Sequence, residues 1–81
     1  MQIKALFFAS YRDIAGSDEL EVELPVGASV ADLVVSLRER GGAWRSLPSD
    51  PAVAVNLTYS SLGTPLAEGD EVAFIPPVSG G

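Results

Sequence analysis

The chain has 81 residues, 47% of them hydrophobic, which fits one small globular domain and is too apolar for a disordered chain. Eleven acidic against five basic side chains give a formal net charge of −6, which disfavours nucleic acid, whose phosphates select Lys and Arg clusters, and is compatible with a basic protein partner or with simple solubility. The lack of histidine and cysteine removes the usual imidazole base, the thiolate nucleophile and the preferred ligands of transition metals.

A first strand is predicted over residues 2–9, where β-branched and aromatic side chains are concentrated. Side chains of a strand alternate between its two faces, so the faces carry, in turn, Ile3, Ala5 and Phe7, and Lys4, Leu6 and Phe8. Because the ammonium group of Lys4 needs water, the second face is predicted to be the outer one. Residues 10–16, with Ser, Arg, Asp and Gly, are predicted to form a loop or a single helical turn.

A second strand is predicted over residues 19–25, because two leucines and a valine alternate there with three glutamates. The apolar set, Leu20, Val22 and Leu24, is expected to face the core while the glutamates face solvent. The short polar link at residues 16–18 predicts a hairpin between this strand and the first.

One helix is predicted with signals at both of its ends. Ser29 is a favourable N-cap, and Asp32, three residues later, resembles the second half of a capping box at the positive end of the helix. Arg38 and Arg40 lie in the predicted last turn, and Gly41 is the predicted C′ residue. An apolar stripe at helical spacing is expected to face the sheet, and it consists of Val30, Leu33, Val34 and Leu37.

The segment that follows the predicted helix has weaker signals of regular structure. Residues 43–51 are predicted to be irregular, with Trp44 packed against the domain. A third strand is predicted over residues 52–57, whose side chains are mostly small or β-branched. Asn56 is expected to be a turn residue, and Tyr59 to begin or continue strand structure after it.

The last strand is predicted over Glu71–Ile75, after turns at residues 63–65 and 68–70. Its pairing must end at Pro76 and Pro77, because proline offers a sheet ladder no N–H donor. The predicted order is two strands, one long helix and two or three further strands. Few arrangements of these elements allow the single helix to cover one face of the sheet. The predicted fold class is therefore α+β, a ubiquitin-like β-grasp with a mixed sheet of four to five strands packed on one main helix.

The outer face of this sheet is predicted to bind another protein. Glu71 must face water, and Ile75 shares its side of the last strand. With one helix on the opposite face, Leu6, Phe8 and Ile75 have no cover within the chain. An apolar patch rimmed by charge is typical of a protein-binding surface, although scattered exposed apolar side chains are also ordinary.

The ending FIPPVSGG changes in steps from strand to prolines to glycines, which divides the chain into a folded domain at residues 1–75 and an extended tail at residues 76–81. Six extended residues reach about 20 Å, enough to carry the carboxyl terminus into another protein's active site. A terminal glycine leaves its carbonyl unobstructed, so that the carboxylate, once joined to AMP, is open to a sulfur or nitrogen nucleophile. The alternative is a disordered tail or an expression remnant. The residues predicted to thread and stiffen the tail are Pro76, Pro77, Val78, Ser79 and Gly80, and the reactive one is Gly81.

The remaining carboxylates are predicted to be structural. Asp32 and Asp70 lie in a first helical turn and in a turn between strands, where carboxylates ordinarily cap backbone groups or are solvated. Lys4 is the only lysine, so self-linked chains of the ubiquitin kind have one possible side-chain attachment site.

Three stretches of the sequence resemble the MoaD family, the small sulfur-carrier subunits of molybdopterin synthases, within the wider MoaD/ThiS group of ubiquitin-like proteins. They are LFFASYRDIAG near the start, AVAVN in the middle and TPLAEGDEVAFIPPVSGG at the end. The likeness covers the whole chain and is densest over residues 64–81, whereas residues 43–51 are not diagnostic. ThiS carriers of the thiamine pathway share the fold and the Gly-Gly ending but usually lack the FIPPV lead-in.

This resemblance implies a role in molybdenum cofactor biosynthesis. The carboxylate of Gly81 would be adenylated by a MoeB-like enzyme with ATP and Mg²⁺ and converted to a thiocarboxylate. In a pocket of a MoaE-like large subunit, its sulfur would pass to cyclic pyranopterin monophosphate and help to build the dithiolene of molybdopterin. As in the family, this chain would form a heterotetramer with the large subunit. The catalytic side chains would lie on the large subunit, and this chain would bind no cofactor. The family's hydrophobic docking positions are matched here by Phe8, Tyr59 and Ile75.

Three alternatives stay open. A ThiS-like carrier would deliver sulfur for a thiazole, a ubiquitin-like modifier would be joined through Gly81 to lysines of target proteins, and a plain interaction module would do neither. A cytoplasmic location is expected, because the first ten residues lack the pattern of a signal peptide and no apolar run approaches the length of a membrane span.

Overall fold

The computed structural model describes residues 1–77 and contains one five-stranded sheet. The predicted α+β fold, a mixed sheet packed on one main helix, is confirmed. No helix in these residues is long and apolar enough to span a membrane. The elements in chain order are β1 (Gln2–Phe7), α1 (Ala9–Ala15), β2 (Glu19–Glu23), α2 (Val30–Arg38), a 3-10 helix (Gly42–Ser46), β3 (Ala52–Val55), β4 (Thr58–Ser60) and β5 (Glu71–Ile75).

The centre of the sheet is formed by β1 and β5, which run parallel to each other. On the far side of β1 lies β2 and on the far side of β5 lies β3, both antiparallel, and β3 continues into β4 as a hairpin. Because β1 and β5 are parallel, their carboxyl ends reach the same edge of the sheet, where Phe7 lies opposite Phe74. Phe8 and the segment that follows Ile75 therefore leave the sheet at one common edge.

The core lies between α2 and the inner face of the sheet. The apolar stripe predicted on α2 is confirmed, since each of its four side chains is at most 1% exposed. The alternation predicted for β1 is also confirmed, and the rings of Phe7 and Phe74 stack with centroids 5.2 Å apart. The largest fully buried side chains on the sheet are Ile3, Phe7, Val53, Val72 and Phe74.

The start of α2 follows the sequence prediction, but its end does not. The Ser29 hydroxyl accepts the backbone N–H of Asp32 at 3.4 Å, and the Asp32 carboxylate accepts the N–H of Ser29 at 2.9 Å, which completes the capping box. The helix stops at Arg38, so Arg40 lies outside it. Gly41, with φ 77°, is the N-cap of the 3-10 helix instead of the C′ residue of α2, because two successive glycines at positive φ turn the chain there.

The segment after β1 is more regular than predicted. Residues 9–15 form the seven-residue helix α1 instead of a loop or single turn, and β1 ends at Phe7. The N-cap residue Phe8 makes no side-chain capping bond, and no acid lies in the first turn. The sequence therefore lacks the local signals that usually mark the start of a helix. Burial of Tyr11 in the core holds the helix in place. The predicted pairing of the first two strands is correct, but α1 lies in their connection.

The segment between α2 and β4 has two further departures from the prediction. Trp44 packs against the domain as predicted, with its ring 5.4 Å from that of Phe7, but it lies on a 3-10 helix. Strand β3 ends at Val55, because Asn56 and Leu57 adopt φ of 49° and 71° and form the turn into β4. Asn56 is thus a turn residue, as predicted.

Candidate functional site

The outer face of the sheet, on the side away from α2, carries a continuous row of apolar side chains. Across β1, β5, β3 and β4 the register places Leu6 beside Ala73, Ala73 beside Ala54, and Ala54 beside Tyr59. A second pair, Ile75 beside Ala52, lies closer to the carboxyl edge of β5. We call this surface the outer apolar face; its residues are Leu6, Phe8, Ala52, Ala54, Tyr59, Ala73 and Ile75.

The three predicted docking residues all lie on this face. Phe8 is 51% exposed and Tyr59 is 76% exposed, which is unusual for aromatic side chains of this size, and Ile75 is half-buried. The alanines between them keep the centre of the face flat, so a partner could contact both aromatic rings at once. The role of these residues in docking stays a prediction, but their placement on one surface is an observed feature of the fold.

Charged groups border the outer apolar face on the β2 side. Lys4 Nζ lies 3.6 Å from Glu19 Oε2, and Arg12 Nη1 lies 3.6 Å from Asp18 Oδ1. All four side chains are at least 45% exposed, so these ion pairs add little to stability. The patch therefore has the composition predicted for it, with an apolar centre and a charged rim.

The chain leaves the sheet at the carboxyl edge, next to the outer apolar face. Strand β5 ends at Ile75 and the two prolines follow it outside the ladder, as predicted. Beside them lies a groove of about 470 Å³, whose lining includes Tyr11, Tyr59 and Ile75. Burial raises the pKa of the Tyr11 phenol above its ordinary value, so this hydroxyl stays protonated at neutral pH. The predicted tail residues that lie outside the described residues are Val78, Ser79, Gly80 and Gly81.

The two aspartates that could be taken for catalytic acids have structural roles. Asp32 belongs to the capping box of α2. Asp70 accepts the Asn56 side-chain amide at 2.9 Å and the backbone N–H of Ala67 at 2.8 Å. In residues 1–77 there is no group of three or more carboxylates placed to hold a metal ion. Both aspartates are therefore accounted for by hydrogen bonds within the fold.

Comparisons with known proteins agree with this arrangement. The model of the ThiS family matches residues 5–81. A protein of Chlamydomonas reinhardtii called "Molybdopterin synthase sulfur carrier subunit" is 41% identical over the full length of both chains. One of the same name from Escherichia coli is 40% identical, with 98% of this chain and 99% of that protein covered. Among solved structures, SAMP1 from Haloferax volcanii superimposes with a TM-score of 0.86 at 31% identity, with both chains fully covered.

Proposed function

This chain belongs to the ThiS family, and from that premise we propose that it is a sulfur carrier, the small subunit of a molybdopterin synthase. The main support for the proposal is the full-length similarity to proteins named as that subunit. The fold supports it, because the chain leaves the sheet after Ile75 beside an exposed apolar face. Two prolines and the residues VSGG follow in the sequence. The buried core extends from Ile3 to Phe74, which supports our division into a domain at residues 1–75 and a tail at 76–81.

The reacting group in this proposal is the carboxylate of Gly81. A MoeB-like adenylyltransferase transfers AMP from ATP, with Mg²⁺, to this carboxylate and releases pyrophosphate. A sulfur donor then displaces AMP and leaves a thiocarboxylate. Glycine suits both steps, because it has no side chain to obstruct attack on the carbonyl carbon.

The large subunit supplies the remaining parts of the reaction. The tail enters a pocket of this MoaE-like partner, and the sulfur passes to cyclic pyranopterin monophosphate in two rounds, one for each sulfur of the dithiolene. We assign the catalytic side chains to the large subunit, since this chain has neither histidine nor cysteine. The outer apolar face, with Phe8, Tyr59 and Ile75, is the surface that docks, and two small subunits on a central large-subunit dimer give a heterotetramer.

A second candidate function is that of a ubiquitin-like protein modifier. It is favoured by the likeness to SAMP1, a small archaeal modifier protein. In that case Gly81 would be attacked by the amine of a target lysine in place of a sulfur donor. A ThiS-like carrier for thiazole synthesis shares the sulfur chemistry and differs in the partner that accepts the sulfur.

The intact mass of the chain tests the proposal. The full chain is incubated with ATP, Mg²⁺, a MoeB-like adenylyltransferase and a sulfur source. We expect a mass increase that corresponds to replacement of one oxygen by sulfur, and no increase for a variant that lacks Gly81 but melts at the same temperature. Sulfur transfer to the pterin should then require a MoaE-like subunit. An unchanged mass, or conjugates to lysines as the sole product, would contradict the proposal.

A further inference from the structure

A second groove, which the proposed function does not use, lies between the end of β2 and the exposed side of α2, with a volume of about 500 Å³. We propose that it binds an extended segment of a protein partner, which adds to the sheet as a strand beside β2 and alternates apolar with basic side chains. This inference does not depend on the sulfur-carrier function. We call this feature the β2–α2 groove; its walls include Glu23, Val26, Asp32, Val35, Ser36 and Glu39.

Strand β2 offers the backbone groups that an added strand needs. It lies at one end of the sheet, and among residues 1–77 the one strand that pairs with it is β1. The Leu24 N–H donates to the Met1 carbonyl across this pair at 2.9 Å. In an antiparallel pair, residues that bond to the neighbouring strand alternate with residues whose N–H and C=O point away from it. The backbone groups of Glu21 and Glu23 therefore point to the free edge, where an extended segment can pair with them.

The β2–α2 groove also exposes apolar side chains. Val26, in the connection between β2 and α2, is 91% exposed, and Val35, outside the buried stripe of α2, is 54% exposed. Successive side chains of a strand point to opposite faces. A strand added beside β2 therefore turns every second side chain towards α2, and apolar residues at those positions would cover both valines.

The charges around the groove select a basic partner. The other face of β2 carries the exposed side chains of Glu19, Glu21 and Glu23, and lysines on the outer face of an added strand would form cross-strand pairs with them. Asp32 and Glu39 add two carboxylates to the groove, and its described lining contains no basic residue. A second copy of the chain that paired through β2 would place glutamates beside glutamates, which is destabilising. Charge complementarity thus favours a basic segment of a different protein.

Two peptides of equal composition test this inference. The probe alternates lysine and valine over about eight residues, with both ends blocked, and the control has the same residues with all valines before the lysines. Each is titrated into the full chain labelled with ¹⁵N and followed by NMR. We expect a Kd at least about fivefold lower for the alternating peptide, with the largest amide shifts and the strongest slowing of hydrogen exchange at Glu21 and Glu23.

Variants of the chain separate the groove from the general attraction by net charge. Glu23→Lys reverses a charge in the groove, and Asp13→Lys makes the same change at an exposed residue of α1 that does not line it. The alternating peptide should bind Glu23→Lys with a Kd about 5- to 10-fold higher than Asp13→Lys. Val35→Ala should raise Kd about threefold through loss of apolar contact. The melting temperature of this variant should not fall, since Ala favours a helix more than Val does.

Three results would overturn the inference. Equal Kd values for the two peptides, or for Glu23→Lys and Asp13→Lys, would mean that net charge alone attracts the peptide. Amide shifts centred on Tyr59 and Ala73 would place the peptide on the outer apolar face. None of these results bears on sulfur transfer to Gly81, which the mass measurement tests separately.

Discussion

Asn56 links two turns that lie far apart in the sequence. Its side-chain oxygen accepts the backbone N–H of Glu71 at 3.0 Å, and its amide donates to Asp70 Oδ1 at 2.9 Å. Its φ of 49° lies in the left-handed region, which Asn tolerates better than most residues. One side chain therefore closes the β3–β4 turn and also fixes the start of β5, the strand that leads to the tail.

Two replacements of Asn56 separate the contribution of its side-chain hydrogen bonds to stability from that of its backbone conformation. Asn56→Gly keeps the left-handed conformation but loses both hydrogen bonds, so we expect the free energy of unfolding to fall by about 2 kcal/mol. Asn56→Ala should cost about 0.5–1 kcal/mol more, because the strain of Ala at positive φ exceeds the entropy that Gly loses on folding. Urea unfolding followed by circular dichroism measures both values. Equal losses in the two variants would mean that the strain of Ala at positive φ does not exceed the entropy that Gly loses on folding.

At the scale of the elements, α1 begins at a position that serves two purposes. Phe8 is its N-cap residue, makes no capping bond there, and contributes one of the two aromatic rings of the outer apolar face. A polar N-cap would stabilise the helix better. Helix formation does not account for an exposed Phe at this position, whereas the proposed docking role would account for it.

Phe8→Asp tests that explanation because the two roles predict opposite effects. Asp is a favourable N-cap, so the free energy of unfolding should stay the same or rise by about 0.5–1 kcal/mol. The affinity for the large subunit should fall at least tenfold, since an aromatic contact at an interface centre is replaced by a charge. Leu57→Asp is the control, because Leu57 is 91% exposed at the opposite edge of the sheet. Similar affinities of the two variants would remove Phe8 from the interface.

The elements also differ in how far the sequence could predict them. The start and the buried face of α2 were predicted correctly, because a capping box and an apolar stripe are encoded within a few residues of each other. Helix α1 was not predicted, because it has no cap and depends on the burial of Tyr11 against distant residues. The same limit applies to the groove beside Pro76 and Pro77. Its walls come from segments that meet only once the sheet has formed, and no local pattern in the sequence marks them.

At the scale of the whole molecule, the parallel pairing of β1 and β5 brings the binding features together. It places Phe8 and the departing chain at one edge, and it joins Leu6 and Ala73 into one surface. Alternation along each strand was enough to predict which residues face outward. The placement of Tyr59 in the same row depends on the β3–β4 hairpin, and it was expected only from the resemblance to a family.

The net charge of −6 predicts that the rate of association with a basic partner depends on salt. Attraction over distances beyond contact speeds association and is screened once the Debye length falls below about 10 Å, near 0.1 M salt. Between about 0.02 and 0.5 M NaCl we expect the association rate constant with the large subunit to fall about tenfold, and the dissociation rate constant to change less than about twofold. Stopped-flow fluorescence measures both constants.

Asp13→Lys tests this electrostatic effect, because it changes the net charge from −6 to −4 at an exposed residue outside the outer apolar face. The variant should show a shallower salt dependence of the association rate constant and an unchanged dissociation rate constant, since the short-range contacts remain. If the salt effect instead appears in dissociation, the charges act within the contact and not at a distance. An association rate constant that does not depend on salt would contradict a basic docking surface on the partner.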